Sequence, residues 1–182
     1  MVDYKIAAYK ECDCNVFYRI GEKWGEFSNM HPDFPLLWAG KTWKSSEALY
    51  QACRFPLFLN VQNAICSASD GFEAKAISRQ HQHYSRPDWE QVRVQIMYWC
   101  LQLKFSQHAA RLIPLLKIAA QNCVVEKSDK DDFWGTLACG DNQLKGINVL
   151  GKLLNYLHNQ LIINEKHLLE IEPPLIKDFI LI

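Results

Sequence analysis

The chain has 182 residues, 49% hydrophobic and 22% charged, which suits one compact domain with a real core. Twenty Lys and Arg balance twenty Asp and Glu, so bulk electrostatic attraction to nucleic acid or an anionic membrane is excluded as the basis of function. Seven cysteines without a C-x-x-C pair exclude a disulfide framework and a zinc knuckle, and read as reduced thiols.

The opening residues MVDYKIAAYKECDC carry charges where a signal peptide needs an apolar run, and no stretch reaches the length of an apolar membrane span. The expectation is a soluble, cytoplasmic protein. Asn15 to Ile20 and Pro35 to Trp43 read as short strands, since aromatic and β-branched residues there are bounded by Gly21, Pro32 and the Ala39-Gly40 turn. After Trp43 the period changes. Ser45 or Ser46 caps a helix through Glu47-Ala-Leu-Tyr-Gln-Ala-Cys-Arg54, which Pro56 stops.

A helix is expected over 61 to 68, and Asp70-Gly-Phe-Glu73 has the spacing of a capping box that opens another, to about Gln80. Pro87 is expected as the first residue of a long helix in which Trp89, Val92, Ile96, Trp99 and Leu103 form one apolar stripe. Pro114 is expected to break or kink the helix from Arg111 to Ala120, Val124-Val125 to form a strand, and Ile147 to Ile163 to form a last helix burying Leu150, Leu153, Leu154, Leu157 and Leu161. The tail from 164 to 182, with Pro173-Pro174, is apolar enough to pack back as an extended segment. There is no repeat or linker. The fold class expected is α+β, a mainly helical single domain over 1 to 182 with a small sheet gathered early.

Six Trp, seven Tyr and nine Phe exceed what a core of this size needs, so some rings are expected to line a pocket for a flat ligand. At 100° per residue, Glu47, Gln51 and Arg54 fall in one stripe of the helix, while Leu49 and Cys53 flank it toward the core. That pattern fits either a site or an exposed polar stripe with an acid favoured by the helix dipole. The loop Lys127 to Gly135 sets two carboxylates before Phe133-Trp134, which fits the rim of an aromatic pocket or a solvated turn. Gly146-Ile-Asn-Val-Leu-Gly151-Lys152 nearly spells a phosphate-binding P-loop, but Leu153 stands where Ser or Thr must hold magnesium, and the segment reads as helix. His81 and His83 lack a third ligand. No metal and no cofactor are expected.

Taken together, Gly25-Glu-Phe-Ser-Asn29, Trp43-x-Ser-Ser-Glu47 and Tyr50-Gln-Ala-x-Arg54-Phe55 resemble the opening motifs of the NADAR family. Ala74 to Arg79, Arg86-x-x-Trp89, Asp131-x-x-Trp134-Gly135 and Gly146-x-Asn148-x-Leu-Gly151 are similar to its later motifs in the same order, so the likeness runs from about 15 to 160. The resemblance implies an N-glycosidase with Glu47 and Asp131 as catalytic residues. It implies substrate binding by Trp89 and Trp134, to which the polar stripe and the motifs add Gln51, Arg54, Arg79, Asn29 and Asn148; Arg93, with Arg54 and Arg79, is expected to hold phosphate by its charge. Four departures bear on substrate choice: Ala48 replaces the family's His, Arg54 its Lys and Ser78 its Gly, and the segment after Trp134 is longer and poorer in glycine.

The expected reaction is hydrolysis of the ribose C1′–N bond of a phosphorylated ribosylaminopyrimidine from riboflavin biosynthesis. The partner is then a small phosphorylated, nucleotide-like ribosyl substrate. Two alternatives stand beside it: removal of ADP-ribose from guanine in DNA or RNA, and a non-catalytic module binding ADP-ribose or an NAD-like ligand.

Overall fold

A computed structural model describes residues 3–164, 168 and 171–174. In chain order the elements are β1 (Ala7–Lys10), β2 (Cys14–Phe17), β3 (Leu36–Trp38), β4 (Lys41–Trp43), α1 (Ser46–Ala52), α2 (Leu59–Cys66), α3 (Gly71–Gln80), α4 (Trp89–Gln107), α5 (Ala109–Ala119), β5 (Cys123–Glu126), β6 (Leu137–Gly140), β7 (Gln143–Gly146) and α6 (Val149–Ile163). The class is α+β, as the sequence predicts. The strands, however, are not gathered early: they form a three-stranded antiparallel sheet ordered β1-β7-β6, a parallel pair β2–β5 and the hairpin β3–β4. Two compact units are distinguished, one from Met1–Ser28 with Ala109–Leu168, the other from Asn29–His108 with Leu169–Ile182.

In the first unit α6 packs on β5, and β5 pairs with β2 in the register Val16 to Val125. The five leucines expected on the buried side of α6 are all buried. Close approach of helix to strand is possible because position 151 is glycine: a Cβ there would run into the Val124 carbonyl and the Asn148 side chain. Pro114 does not break α5, which is continuous and starts two residues earlier than expected. Ala110, whose carbonyl loses its i+4 partner to the proline, is exposed, so water can satisfy it. Strands β1, β6 and β7 were not foreseen, since Leu137-Ala-Cys-Gly and Gln143-Leu-Lys-Gly carry too few β-branched or aromatic residues to announce a strand. They are made by pairing, with Asn142 at φ 55° in the tight connection.

In the second unit β3 and β4 form a hairpin through Ala39 and Gly40, both at positive φ (51° and 71°), the conformation that two-residue hairpin turns require. Helix α1 packs against α2, α3 and α4, and all seven of its residues are buried. Helix α3 is capped by Asp70 as expected, Oδ1 accepting from Glu73 N at 2.8 Å, but Glu73 Oε2 returns to Ser69 N at 2.5 Å, one residue before the cap. On α4 the stripe is broader than one face. Trp89, Ile96, Trp99 and Leu103 are buried and Val92 half-buried, but Met97, Cys100, Leu101, Lys104 and Phe105 are buried too. Lys104 is fully buried with its ammonium 4.9 Å from the centre of the Phe34 ring, a position that periodicity assigned to no role.

Most of the tail expected to pack back lies outside the described residues; Leu168 is buried. Among the described residues no helix is long and apolar enough to cross a membrane.

Candidate active site

The first residue to account for is Glu47, since a carboxylate that is only 5% exposed must be compensated from within the protein. Ser45 sets its position. With φ −164° and ψ 168°, Ser45 is extended at the N-cap, and its Oγ accepts from Ala48 N at 3.2 Å. Glu47 N then donates to Asn29 O at 3.0 Å, which ties the start of α1 to the segment before β3. The carboxylate sits in the first helical turn, where the helix dipole favours negative charge. One turn on, Gln51 Nε2 donates to Glu47 Oε1 at 2.7 Å. Replacing Ser45 by Ala is expected to lower stability by about 0.5–2 kcal/mol, seen as a lower urea midpoint with an unchanged m-value.

The polar stripe read from the helical wheel therefore exists, but it faces inward. Gln51 is buried at 6% exposure, and Arg54 follows just beyond the end of α1. Arg54 Nε donates to Ser85 Oγ at 2.6 Å, and its guanidinium lies 5.4 Å from the centre of the Trp89 ring. Burial lowers the pKa of this guanidinium, and so does the neighbouring Arg93, against opposing pulls from Tyr50 and Glu90; an arginine nevertheless stays charged at neutral pH. Arg93 pairs with Glu90 at 2.8 Å on α4.

Trp89 is positioned from two sides. Arg86 is buried, clamps Asp88 through Nε and Nη2 at 2.6 and 3.0 Å, and accepts the Trp89 N–H on its carbonyl at 3.2 Å, while its own N–H goes to Arg54 O at 2.9 Å. The Tyr50 ring packs on Trp89 at 4.9 Å. Tyr50 was not among the expected site residues. Burial first, then the Glu47 carboxylate, push its phenol well above the usual range, and Arg93 and Arg54 pull the other way. It therefore keeps its proton and is a donor inside the carboxylate and guanidinium cluster. Its place three residues after Glu47, on the same helical face, was the available sign.

Thus Glu47, Gln51, Arg54, Trp89 and Arg93 come together within one unit; Asn29 joins them through its backbone carbonyl, while its side-chain amide donates to Met97 Sδ at 3.0 Å. Arg79 is exposed in the last turn of α3, and no contact described for it reaches this cluster. Beside Arg54 lies a groove of about 370 Å³ lined by Pro56, Phe58, Tyr84, Ser85, Arg86 and Asp88 among others, with the Phe58 and Tyr84 rings stacked at 4.5 Å.

The other unit holds the remaining expected residues. Asp131 Oδ1 accepts from Phe133 N at 3.0 Å and Trp134 N at 2.8 Å, so this carboxylate organises its own loop. Trp134 is half-buried and makes an edge contact with Phe133 at 5.2 Å. Asn148, expected to bind substrate, is fully buried with its amide spent on Val124 O and Glu126 N, both at 3.0 Å. That makes it a joint between β5 and α6, held at φ 58°. Among the described residues, no group of three or more His, Cys, Asp or Glu side chains is arranged to hold a metal.

The NADAR domain model matches residues 16–162, which include both units' share of the motifs. The chain belongs to the NADAR family. Relatives of this NADAR chain include N-glycosidase YbiA of Escherichia coli, 36% identical over 149 residues that make up 82% of this chain and 89% of that protein. N-glycosidase Npun_R5314 of Nostoc punctiforme is 35% identical over 143 residues, 76% of this chain and 86% of its own. A riboflavin biosynthesis protein of Vibrio vulnificus is 33% identical, but over only 38% of its length. The NMR structure of E. coli YbiA superposes with a TM-score of 0.73 at 35% identity, covering 85% of this chain and 89% of that one. The NADAR likeness thus extends from seven short motifs to a fold shared over 85% of the chain.

Proposed function

We propose that this NADAR protein is an N-glycosidase that hydrolyses the ribose C1′–N bond of a phosphorylated ribosylaminopyrimidine. The observation that carries the reading is the buried Glu47 carboxylate, braced by Gln51 and set in one unit with the Arg54 guanidinium and the Trp89 ring. Breaking the bond builds positive charge on C1′ and the ring oxygen, and a carboxylate kept out of water stabilises that charge more than one in bulk solvent does. The oxygen of water bonds to C1′ and gives up a proton, the C1′–N pair leaves with nitrogen, and nitrogen takes a proton, so that water is split between the two products. Glu47 steadies the cation or aims the water. Arg54, with Arg93, holds phosphate, and Trp89 stacks on the flat base.

Asp131 and Trp134 stay in this proposal on the motif likeness alone, Asp131 to orient the ribose or the water and Trp134 to stack on the base. Arg79 is retained only as an outlying phosphate contact. The single-domain reading of the chain likewise rests on one family model spanning both units.

The groove beside Arg54 favours a second reading, in which the substrate extends beyond its first phosphate, as ADP-ribosyl-guanine does. Incubation with ribosylaminopyrimidine phosphate and, separately, with ADP-ribosyl-guanosine, followed by mass spectrometry, decides between them. Free aminopyrimidine with ribose 5-phosphate is the expected outcome. Release of guanine species from the second substrate alone would establish the ADP-ribosyl reading, and binding of either without cleavage would make the protein a binding module.

A further inference from the structure

Gln51 uses only half of its side chain within the protein. Its Nε2 donates to Glu47 Oε1 at 2.7 Å, and this fixes the orientation of the amide, since the opposite rotamer would press an amide oxygen against a carboxylate oxygen. The other atom, Oε1, is therefore turned away from Glu47. It is buried, and among the described residues it has no hydrogen-bond partner. A buried acceptor without a donor is rare in a native structure because its desolvation goes uncompensated, and a ligand hydroxyl or N–H is one way to compensate it.

We propose that Gln51 is a specificity-determining residue that reads the 2′-hydroxyl of the substrate's sugar: Oε1 accepts that hydroxyl while Nε2 holds Glu47 toward C1′. This rests on the N-glycosidase reading above. The choice of hydroxyl follows from connectivity. The two amide atoms share one carbon, so the acceptor lies beside the carboxylate that serves C1′. The carbon bonded to C1′ within the sugar that carries a hydroxyl is C2′. As positive charge develops at C1′ the 2′-hydroxyl becomes a better donor, so the bond strengthens toward the transition state and acts on kcat.

The test compares wild type with Gln51→Met on the N-ribosyl substrate and on its 2′-deoxy and 3′-deoxy counterparts. A 2′-deoxy sugar is intrinsically easier to ionise, so a single ratio misleads; the change in ratio between the two proteins cancels intrinsic reactivity and also any general loss from a less well held Glu47. The ribose to 2′-deoxyribose ratio of kcat/KM is expected to fall by about tenfold or more in Gln51→Met, while the 3′ ratio stays within about threefold. Equal 2′ ratios in the two proteins, or a change confined to the 3′ ratio, would overturn the inference. If the variant is too slow to assay, calorimetric Kd ratios for ribose 5-phosphate and 2-deoxyribose 5-phosphate serve the same comparison, and equal ratios again overturn it. A wild-type protein that cleaves no N-ribosyl substrate defeats the functional reading and this inference with it. Cleavage with unchanged ratios defeats the inference alone.

Discussion

Glu47→Gln is expected to lower kcat by at least about a hundredfold, with KM changed far less, because a glutamine keeps the shape of the side chain and removes the charge that faces the developing cation. The substitution is a clean one here. Ser45 caps α1 and Asn29 O receives the Glu47 backbone N–H, and neither contact involves the carboxylate. The Gln51 amide N–H finds an acceptor in the new side-chain oxygen as it did in the old one. Circular dichroism and the urea midpoint then separate a chemical defect from a folding one. Turnover that survives within about tenfold would remove Glu47 from the chemistry, since a group of this kind contributes roughly a hundredfold or more. The same variant addresses the binding-module reading: ligand affinity retained together with turnover abolished is the signature of an enzyme.

Arg54→Ala is expected to weaken substrate binding by about 1.5–3 kcal/mol, the range for a hydrogen bond to a charged group, and to spare the dephosphorylated substrate. The structure sharpens this expectation. Among the described residues no ion pair joins Arg54 to Glu47: its side chain meets Ser85 through Nε and the Trp89 ring, and the Glu90 carboxylate acts on it at longer range without a direct ion pair. Arg54→Lys is expected to recover part of the loss, since an ammonium supplies charge without the planar fork that grips two phosphate oxygens at once. Isothermal titration of both variants with phosphorylated and dephosphorylated ligand is the check. Equal losses for the two ligands would show that Arg54 packs the pocket wall and does not read phosphate. Some loss shared by both is built in, because removing the guanidinium also uncovers one side of Trp89.

What was legible in the sequence follows local rules. The 3.6 period of α6, the Ser45 and Asp70 caps and the Ala39-Gly40 turn are each decided by neighbours within a few residues, and all are present. The motifs placed Glu47, Gln51, Arg54 and Trp89 in one family pattern before any contact was known. Non-local pairing was not legible. Strands β1, β6 and β7 have weak propensities of their own and are created by one another, with Ala7 opposite Gly146 and Leu137 opposite Lys145.

Periodicity also could not tell which way the polar stripe of α1 faces, because a stripe of Glu, Gln and Arg has the same spacing whether it meets water or a cluster. Burial of every residue of α1 among its three neighbouring helices decided that, and it makes Gln51 a brace for Glu47 with an unused acceptor. The same holds for Asn148, whose motif position suggests a substrate contact and whose side chain is consumed by β5. Lys104 shows the limit from the other side: an ammonium is expected in solvent, yet tertiary packing buries this one fully, with the Phe34 ring 4.9 Å away as one of its contacts. The chain by itself thus determined which residue types could do N-glycosidic chemistry and where its helices begin. Which of those residues are desolvated, braced or already spent was decided by tertiary packing, because burial depends on contacts distant in sequence.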